Sequence, residues 1–176
     1  MSKTLSSSDI AGLLATLANY PYYVTFTPTS GSAVDLGPLS GPPQISPETE
    51  TKDVTLYETG AAVQKKILIK NDMKVTVNTE NLDAGMGLLA TLEKDDDLLA
   101  ASSKEGVLLL EPITDDASAK SITFPHACVD VDNAISPGEN GDPNVVQVSF
   151  YCKADATTGK PFTYAASSST STNTTP

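Results

Sequence analysis

Histidine, cysteine and tryptophan are scarce in this chain of 176 residues, which excludes most catalytic chemistry. There is one histidine, His126, with two cysteines and no tryptophan. The CxxC, HExxH, phosphate-loop and GxSxG patterns, which would place a metal site, a bound nucleotide or a serine nucleophile, do not occur. The sequence therefore predicts a protein that is not an enzyme and needs no cofactor.

Basic residues and long apolar runs are also few. Eleven basic residues against 22 acidic ones give a formal charge of −11. A strongly acidic surface repels nucleic acid, and proteins that read nucleic-acid sequence normally carry a basic patch. The chain lacks the run of about 18 apolar residues that a membrane helix needs, and MSKTLSSSDI lacks the apolar core of a signal peptide. We expect a protein without a membrane span, made and kept in a cytoplasm.

The two cysteines, Cys128 and Cys152, fit a reducing compartment. They lie on predicted strands at 122–131 and 145–154. If these strands pair symmetrically about their loop, Cys128 lies opposite Val148, which leaves the two cysteines about four residues, or ~13 Å, apart. A disulfide needs Cα atoms within ~7 Å. We therefore expect two free thiols, both mostly buried.

Two residue groups suggest chemistry, but a structural interpretation is favoured for each. His126 and Cys128 are two residues apart on one strand face, as a thiol and its base would be, yet packing beside a bulge explains both. The loop after the same strand offers oxygen ligands for calcium but lacks the spacing of an EF-hand, so a solvated loop is favoured. Its members are Asp130, Asp132, Asn133, Glu139, Asn140 and Asp142.

The stretch 53–81 organises the predicted sheet. Val54 and Leu56 alternate with polar residues, which is the period of a half-buried strand. The apolar block 67–69 is followed by Asn71-Asp72, two residues suited to a tight turn, and then by alternating residues over 73–77. The pattern predicts a strand, a connection and then a hairpin with its turn at Asn71-Asp72.

The other elements follow from periodicity and turn chemistry. Helices are predicted at 9–19 and 82–92; strands are predicted at 22–27, 107–110, 122–131 with a bulge at Pro125, 145–154 and 162–165. The fold class is mainly β, a β-sandwich or partly closed barrel of about seven strands with one or two short helices. We divide the chain into an N-terminal segment with a short helix at 1–21, a β domain at 22–165 and a polar tail at 166–176.

The segment 28–50 differs from the rest of the β domain because it holds five prolines. It is predicted to form at most brief extended pieces. A connection of this length in a compact domain is either functional or disordered. Spaced apolar residues distinguish it from a plain linker, so we expect an ordered arm that lies on another molecule. The apolar anchors are Val34, Leu36, Leu39 and Ile45.

The order of these elements resembles a phage major tail tube protein over roughly 48–165. The resemblance rests on the phrases ETETKDVTLYETG, KKILIKNDMKVTVNTENLD, GVLLLEP and SITFPHACVDV, a short helix and a final alternating strand. It implies a β subunit that forms hexameric rings, stacked into a hollow tube through which DNA passes without specific binding. Its implied partners are further copies of itself and tape-measure, tail-terminator and baseplate proteins. Its implied location is a virion tail assembled in the host cytoplasm.

Two site hypotheses and three alternatives accompany this interpretation. The arm at 28–50 would lie on the next ring, and acidic residues would line the lumen, with candidates Asp72, Glu80, Asp130 and Asp132. One alternative is a capsid decoration or head-completion protein, and another is the inner tube of a contractile injection machine. A carbohydrate-binding β-sandwich ranks last, because the chain has no tryptophan and only six tyrosines and four phenylalanines for a binding platform.

Overall fold

The structure is a computed structural model that describes residues 21–55, 63–92, 104–114, 116, 119–138 and 142–166. The helix predicted at 9–19 lies outside these residues, as does all but the first residue of the tail predicted at 166–176.

The described residues form one antiparallel sheet of nine strands and one helix. The strands are β1 Tyr22–Pro28, β2 Val34–Asp35, β3 Gln44–Thr55, β4 Val63–Thr79, β5 Gly106–Pro112, β6 Lys120–Val129, β7 Ala134–Ser136, β8 Val145–Cys152 and β9 Thr163–Ala166. Their order is β2-β1-β5-β6-β8-β4-β3, with β7 beside β8 and β9 beside β6. The sheet is not closed into a barrel. The mainly β prediction is confirmed, and the two strands of two and three residues were too short to show a period.

The core lies inside the curve of this sheet. The Phe26 ring on β1 and the Phe150 ring on β8 are 5.1 Å apart between centroids, although β5 and β6 separate the two strands in the sheet. The sheet therefore curves until its two halves face each other. The alternation predicted for the last long strand is confirmed, since Val146, Val148, Phe150 and Cys152 are all fully buried.

Residues 36–40 span the gap that the sheet leaves between β1 and β4. The Leu36 amide donates to the carbonyl of Val24 at 3.0 Å, and the Thr79 hydroxyl donates to the carbonyl of Leu36. The Ser40 amide donates to the carbonyl of Asn78 at 2.9 Å. Backbone groups that would otherwise be buried without partners are thereby satisfied.

The turn predicted at Asn71-Asp72 is wrong. β4 runs unbroken through both residues, and Asn71 and Asp72 pair with Thr49 and Glu48 of β3. The Asp72 carboxylate accepts hydrogen bonds from the Tyr151 hydroxyl and, at 2.8 Å, from the Ala154 amide, and this tertiary pairing replaces the local bonds of a turn. The prediction that 28–50 holds only brief extended pieces is also wrong, because residues 44–50 open a strand of 12 residues.

The bulge predicted at Pro125 is confirmed. Gly106 pairs with Ala127 and Leu108 with Phe124, so Pro125 and the following residue together oppose one residue of β5.

The helix, α1, spans Leu82–Leu89, and Asn81 caps it by accepting from the Ala84 amide at 3.3 Å. The sequence predicts an apolar face marked by Leu82, Met86 and Leu89, but the observed buried face is rotated from it. Gly85 and Leu88 are buried, while Leu82 and Met86 are exposed. A Cβ on Gly85 would lie 2.9 Å from Val146, so this glycine allows close packing that a rule based on large apolar residues misses. No helix in the described part of the chain is long and apolar enough to cross a membrane.

Candidate assembly interface

A two-stranded ribbon projects from the sheet. β4 pairs with β8 only over Met73–Thr79, whereas β3 follows β4 to its first residue. Residues 48–55 and 63–72 therefore pair only with each other among the described residues. From here on, the arm means these residues and not the segment 28–50 for which an arm was predicted. At about 3.3 Å per residue, residues 63–69 of β4, which precede those that contact Tyr151 and Gly159, extend about 23 Å.

The arm exposes apolar side chains in succession. Ile67, Leu68 and Ile69 are 37%, 52% and 55% exposed. The register shifts here, because Glu50 pairs with Lys70 and Thr51 with Leu68, which leaves Ile69 as an extra, bulged residue. Fully burying such a side chain is worth about 1.5–3 kcal/mol. These three residues therefore favour contact with another surface.

The distal part of the arm, residues 51–55 and 63–68, is basic in an acidic chain. It carries Lys52, Lys65 and Lys66 against Asp53, a net of +2, which Glu58 in the connection between the two strands lowers to +1, where the whole chain carries −11. The Lys66 ammonium lies 3.6 Å from the Asp53 carboxylate, and both side chains are well exposed. The distal arm is thus suited to an acidic partner surface.

The base of the arm is fixed to the sheet by polar contacts. Besides the bonds to Asp72, the Asn71 amide donates to the carbonyl of Gly159 at 3.1 Å. The Lys70 ammonium lies 5.2 Å from the centroid of the Tyr151 ring, a cation–π contact. Burial, and then the bond to Asp72, raise the pKa of Tyr151. These contacts on successive residues of β4 set the direction in which the arm projects.

Three of the four predicted lumen residues lie on the side of the sheet to which Lys74 of β4 points. The Lys74 ammonium bonds to the Asp132 carboxylate and lies 3.5 Å from that of Asp130; the Asp132 bond is the main cause that raises the pKa of Lys74. Asp72 lies two residues away on the same face of β4. Glu80 is separate, since it follows the end of β4, where its amide donates to the carbonyl of Pro38 at 2.9 Å.

The apolar anchors of 28–50 belong mostly to this subunit's own core. Leu36 is fully buried, and Val34 and Leu39 pack against the same core. The expectation that these side chains lie on another molecule is therefore wrong for Leu36, which has no exposed surface. Ile45, 39% exposed, is the most exposed of the four. An apolar residue in a proline-rich segment cannot be assigned to an internal or external partner from sequence alone.

His126 lies in a polar cluster and does not serve as a base for Cys128. Its Nδ1 bonds to the Glu105 carboxylate and its Nε2 lies 3.3 Å from an oxygen of Asp155. The Glu105 bond is the main cause that raises the pKa of His126. Burial raises the pKa of the Cys128 thiol. Carboxylates occupy both ring nitrogens, so neither is placed to take a proton from sulfur.

Both cysteines are free and buried, as predicted, but the predicted register is wrong. Cys128 pairs with Tyr151, and Ala127 pairs with Cys152. Neighbouring positions on a strand point to opposite faces. Cys152 therefore faces the core while Cys128 faces the other side of the sheet, so no disulfide forms although the backbones are close.

The cluster of oxygen ligands is not assembled into a metal site within the described residues. No group of three or more histidine, cysteine or acidic residues among them is placed to hold a metal ion. Asp130 and Asp132 are engaged by Lys74 instead. Glu139 and Asn140 lie outside the described residues.

A surface groove of about 600 Å³ lies at the start of β1 and was not predicted. Its apolar lining includes Pro21, Tyr22, Tyr23, Leu39, Pro42 and Ile113. Asp35 also lines it and accepts a bond from the Tyr23 hydroxyl, the main cause that raises the pKa of Tyr23. Glu111 pairs with Tyr23 and so shares its face of the sheet. Because the lining comes from three segments that are distant in sequence, no local sequence pattern predicts the groove.

Comparison with known proteins gives the fold. No protein-family model and no curated protein matches the chain by sequence. A chain of the anti-feeding prophage cap, which terminates the AFP tube, is similar with a TM-score of 0.53 and 11% identity over 85% of this chain and 91% of that one. A chain of the extended PVC sheath–tube complex, an extracellular contractile injection system, gives 0.50 and 11% over 93% and 100%. The predicted resemblance to tail tube proteins is therefore confirmed at the level of the fold.

Proposed function

We propose that the protein is the structural subunit of a tail-like tube, in which hexameric rings stack into a hollow conduit. The arm is the observation that carries this proposal. It projects about 23 Å past its contacts with the sheet, exposes Ile67, Leu68 and Ile69, and is held at its base by Asp72. An isolated domain gains nothing from such a ribbon, whereas a subunit that must reach the next ring does. The similarity to a tube-terminating cap supports the same class.

Lateral contacts within a ring would use the open sides of the sheet. β3 ends the strand order, and its outer edge has no strand partner among the described residues. An unpaired edge is a template to which a neighbouring strand adds. Pro47 and the charged residues of β3 restrict this addition, so a defined neighbour is favoured over indefinite aggregation.

The cargo is proposed to be DNA that passes without specific binding. Duplex DNA carries one negative charge per ~1.7 Å, so an acidic wall would not retain it. The face that holds Asp72, Asp130 and Asp132 is the candidate wall, and Asp132, 73% exposed, is its most accessible acid. The inner tube of a contractile injection machine, with another cargo, is the nearest alternative. A capsid decoration or head-completion protein is the second, but the arm favours stacking.

The proposed partners are further copies of the chain and, in a phage tail, tape-measure, tail-terminator and baseplate proteins. In that setting the subunit would be assembled in the host cytoplasm and reside in the virion tail. No enzymatic step is part of the proposal.

Shortening the arm tests the proposal. Glu48 and Asp72 are direct cross-strand partners, so an Asn-Gly turn can replace residues 49–71 and keep Asp72 and its bonds to Tyr151 and Ala154. Sedimentation of the intact chain should show rings and longer assemblies as concentration rises. The shortened variant should fold, as circular dichroism would show, but form no stacks.

A second variant guards against misfolding of the shortened one. Leu68→Asp places a charge on an already exposed side chain, so it should leave the fold intact and reduce stacking. Stacks of normal length from both variants would overturn the role of the arm, and a strictly monomeric intact chain would overturn the tube.

A further inference from the structure

We infer that the groove at the start of β1 receives the distal arm of a second copy of this chain, so that subunits join head to tail. This inference rests on the proposed function and adds the receiving surface. The groove and the arm belong to different ends of one molecule. Both expose apolar side chains, and the acidic residues of the groove complement the lysines of the arm.

The position of the two surfaces follows from β4. Leu68 lies on its projecting part, and Thr79 ends it. Thr79 forms a backbone bridge with Leu39, which lines the groove. Thr79 is eleven positions after Leu68, about 35 Å along an extended strand. When the two molecules point the same way, a contact between unlike surfaces at opposite ends is heterologous, and it propagates as an open stack unless its rotation closes a ring.

The surfaces also match in size and polarity. The groove, of about 600 Å³, has room for two or three apolar side chains and presents Tyr23, 39% exposed, and Ile113, 58% exposed. The arm offers Ile67, Leu68 and Ile69 in succession. Neighbouring strand residues point to opposite faces, so Ile67 and Leu68 cannot both enter the groove. Burying the face that carries Leu68 against Tyr23 and Ile113 removes apolar surface of both partners from water.

Charge fixes the orientation of this contact. Lys65 and Lys66 adjoin the apolar run of the arm, while Asp35 and Glu111 lie on or beside the groove. Lys120, at the same end of the sheet, lies 5.0 Å from the centroid of the Tyr164 ring. A basic distal arm therefore meets an acidic rim, and opposite charges across an interface select register and partner.

Cysteine cross-linking between two variants tests the pairing. The full-length Leu68→Cys and Ile113→Cys proteins are mixed and treated with a short bis-maleimide. The native thiols are buried, so they react slowly. The matched control is Val131→Cys, which is 71% exposed and lies outside the groove. Covalent heterodimers should form at least about ten-fold faster with Ile113→Cys than with Val131→Cys.

Electron microscopy of the same samples separates the two ideas. Rings or stacks without preferred Leu68–Ile113 cross-linking would overturn the groove and leave the tube intact. Preferred cross-linking in samples that form only short chains would support the groove and count against the tube. Neither cross-linking nor assembly would overturn both.

Charge exchange gives an independent readout. Lys65→Glu with Lys66→Glu should weaken association about five-fold, the scale of exposed ion pairs. Adding Glu111→Lys to the same chain should restore part of the association, because one of the two acidic rim charges is then reversed while Asp35 remains acidic. Unchanged association in the double variant, or no recovery in the triple variant, would contradict the assigned partner.

Discussion

The imidazole of His126 and the carboxylate of Glu105 are joined by a hydrogen bond between the bulge of β6 and the residue that precedes β5. Lys153 lies 3.4 Å from the other oxygen of Glu105, and Asp155 engages the second ring nitrogen of His126. The turn that begins at Asp155 also contacts the arm, through the carbonyl of Gly159. This cluster therefore connects the bulge to the base of the arm.

Stability should depend on pH through this cluster. The pKa of His126 is raised above its ordinary 6.5, so its contribution is complete below pH 6.5 and is lost as pH rises through the folded value. The pKa of Glu105 is lowered below 4.5 because the His126 bond and Lys153 outweigh burial, so its contribution is lost as pH falls through the folded value. The cluster therefore stabilises most between pH 4.5 and 6.5.

The measurement is urea unfolding across pH, together with an NMR titration of the single histidine. Because the His126 side chain is 38% exposed, we expect a loss of less than about 1 kcal/mol between pH 6 and 9. His126→Gln should flatten this part of the profile. A histidine that titrates at or below 6.5 would contradict the account.

Alanine substitutions at Leu36 and Ile45 compare a buried with an exposed apolar residue of the segment 28–50. Leu36 is fully buried, so Leu36→Ala should lower the free energy of unfolding by about 2–5 kcal/mol. Ile45 is 39% exposed, so Ile45→Ala should cost less than about 1 kcal/mol. Equal costs in denaturant unfolding would show that Leu36 is misplaced.

Gly106 and Gly87 should respond oppositely to substitution by alanine. A Cβ on Gly106 would lie 2.4 Å from the carbonyl oxygen of Thr27 and 2.7 Å from Pro28 Cα. Both are backbone atoms, so relieving the clash would require the backbone to move. We expect Gly106→Ala to cost about 1–3 kcal/mol. Gly87 lies in α1 with open space around it, so Gly87→Ala should stabilise by about 0.5–1 kcal/mol. Thermal unfolding of both variants measures the contrast.

The thiols should be unreactive in the folded protein. Burial raises the pKa of both Cys128 and Cys152, and only the thiolate reacts. A thiol reagent at neutral pH should therefore label neither cysteine until denaturant is added, whereas Val131→Cys should be labelled at once. Rapid labelling of the native chain would place at least one thiol on the surface.

Local patterns predicted the strands whose two faces differ. β8 was predictable because apolar and polar residues alternate from Val146 to Cys152. The bulge was predictable because the alternation of apolar residues shifts by one position at Pro125. Both are properties of consecutive residues, which one sequence contains. The mainly β class followed from adding such segments.

Features that depend on distant residues were not predicted. Asn71 and Asp72 have turn chemistry, yet Gly159, Tyr151 and Ala154 hold them in a strand. The sequence therefore places an arm at 28–50, which includes only the first part of β3, whereas the projecting ribbon is built from β3 and β4. The groove is formed by residues from three segments that are distant in sequence, and the hydrophobic periodicity of one segment does not predict its contacts with the others. The apolar run 67–69 beside two lysines was the available signal for the arm.

The most direct test of the tube is electron microscopy of the purified full-length chain over a wide range of protein and salt concentration. The account predicts six-fold rings in end views and, at high concentration, stacks of those rings with an open centre. Particles that remain monomers or trimers under all conditions would contradict it.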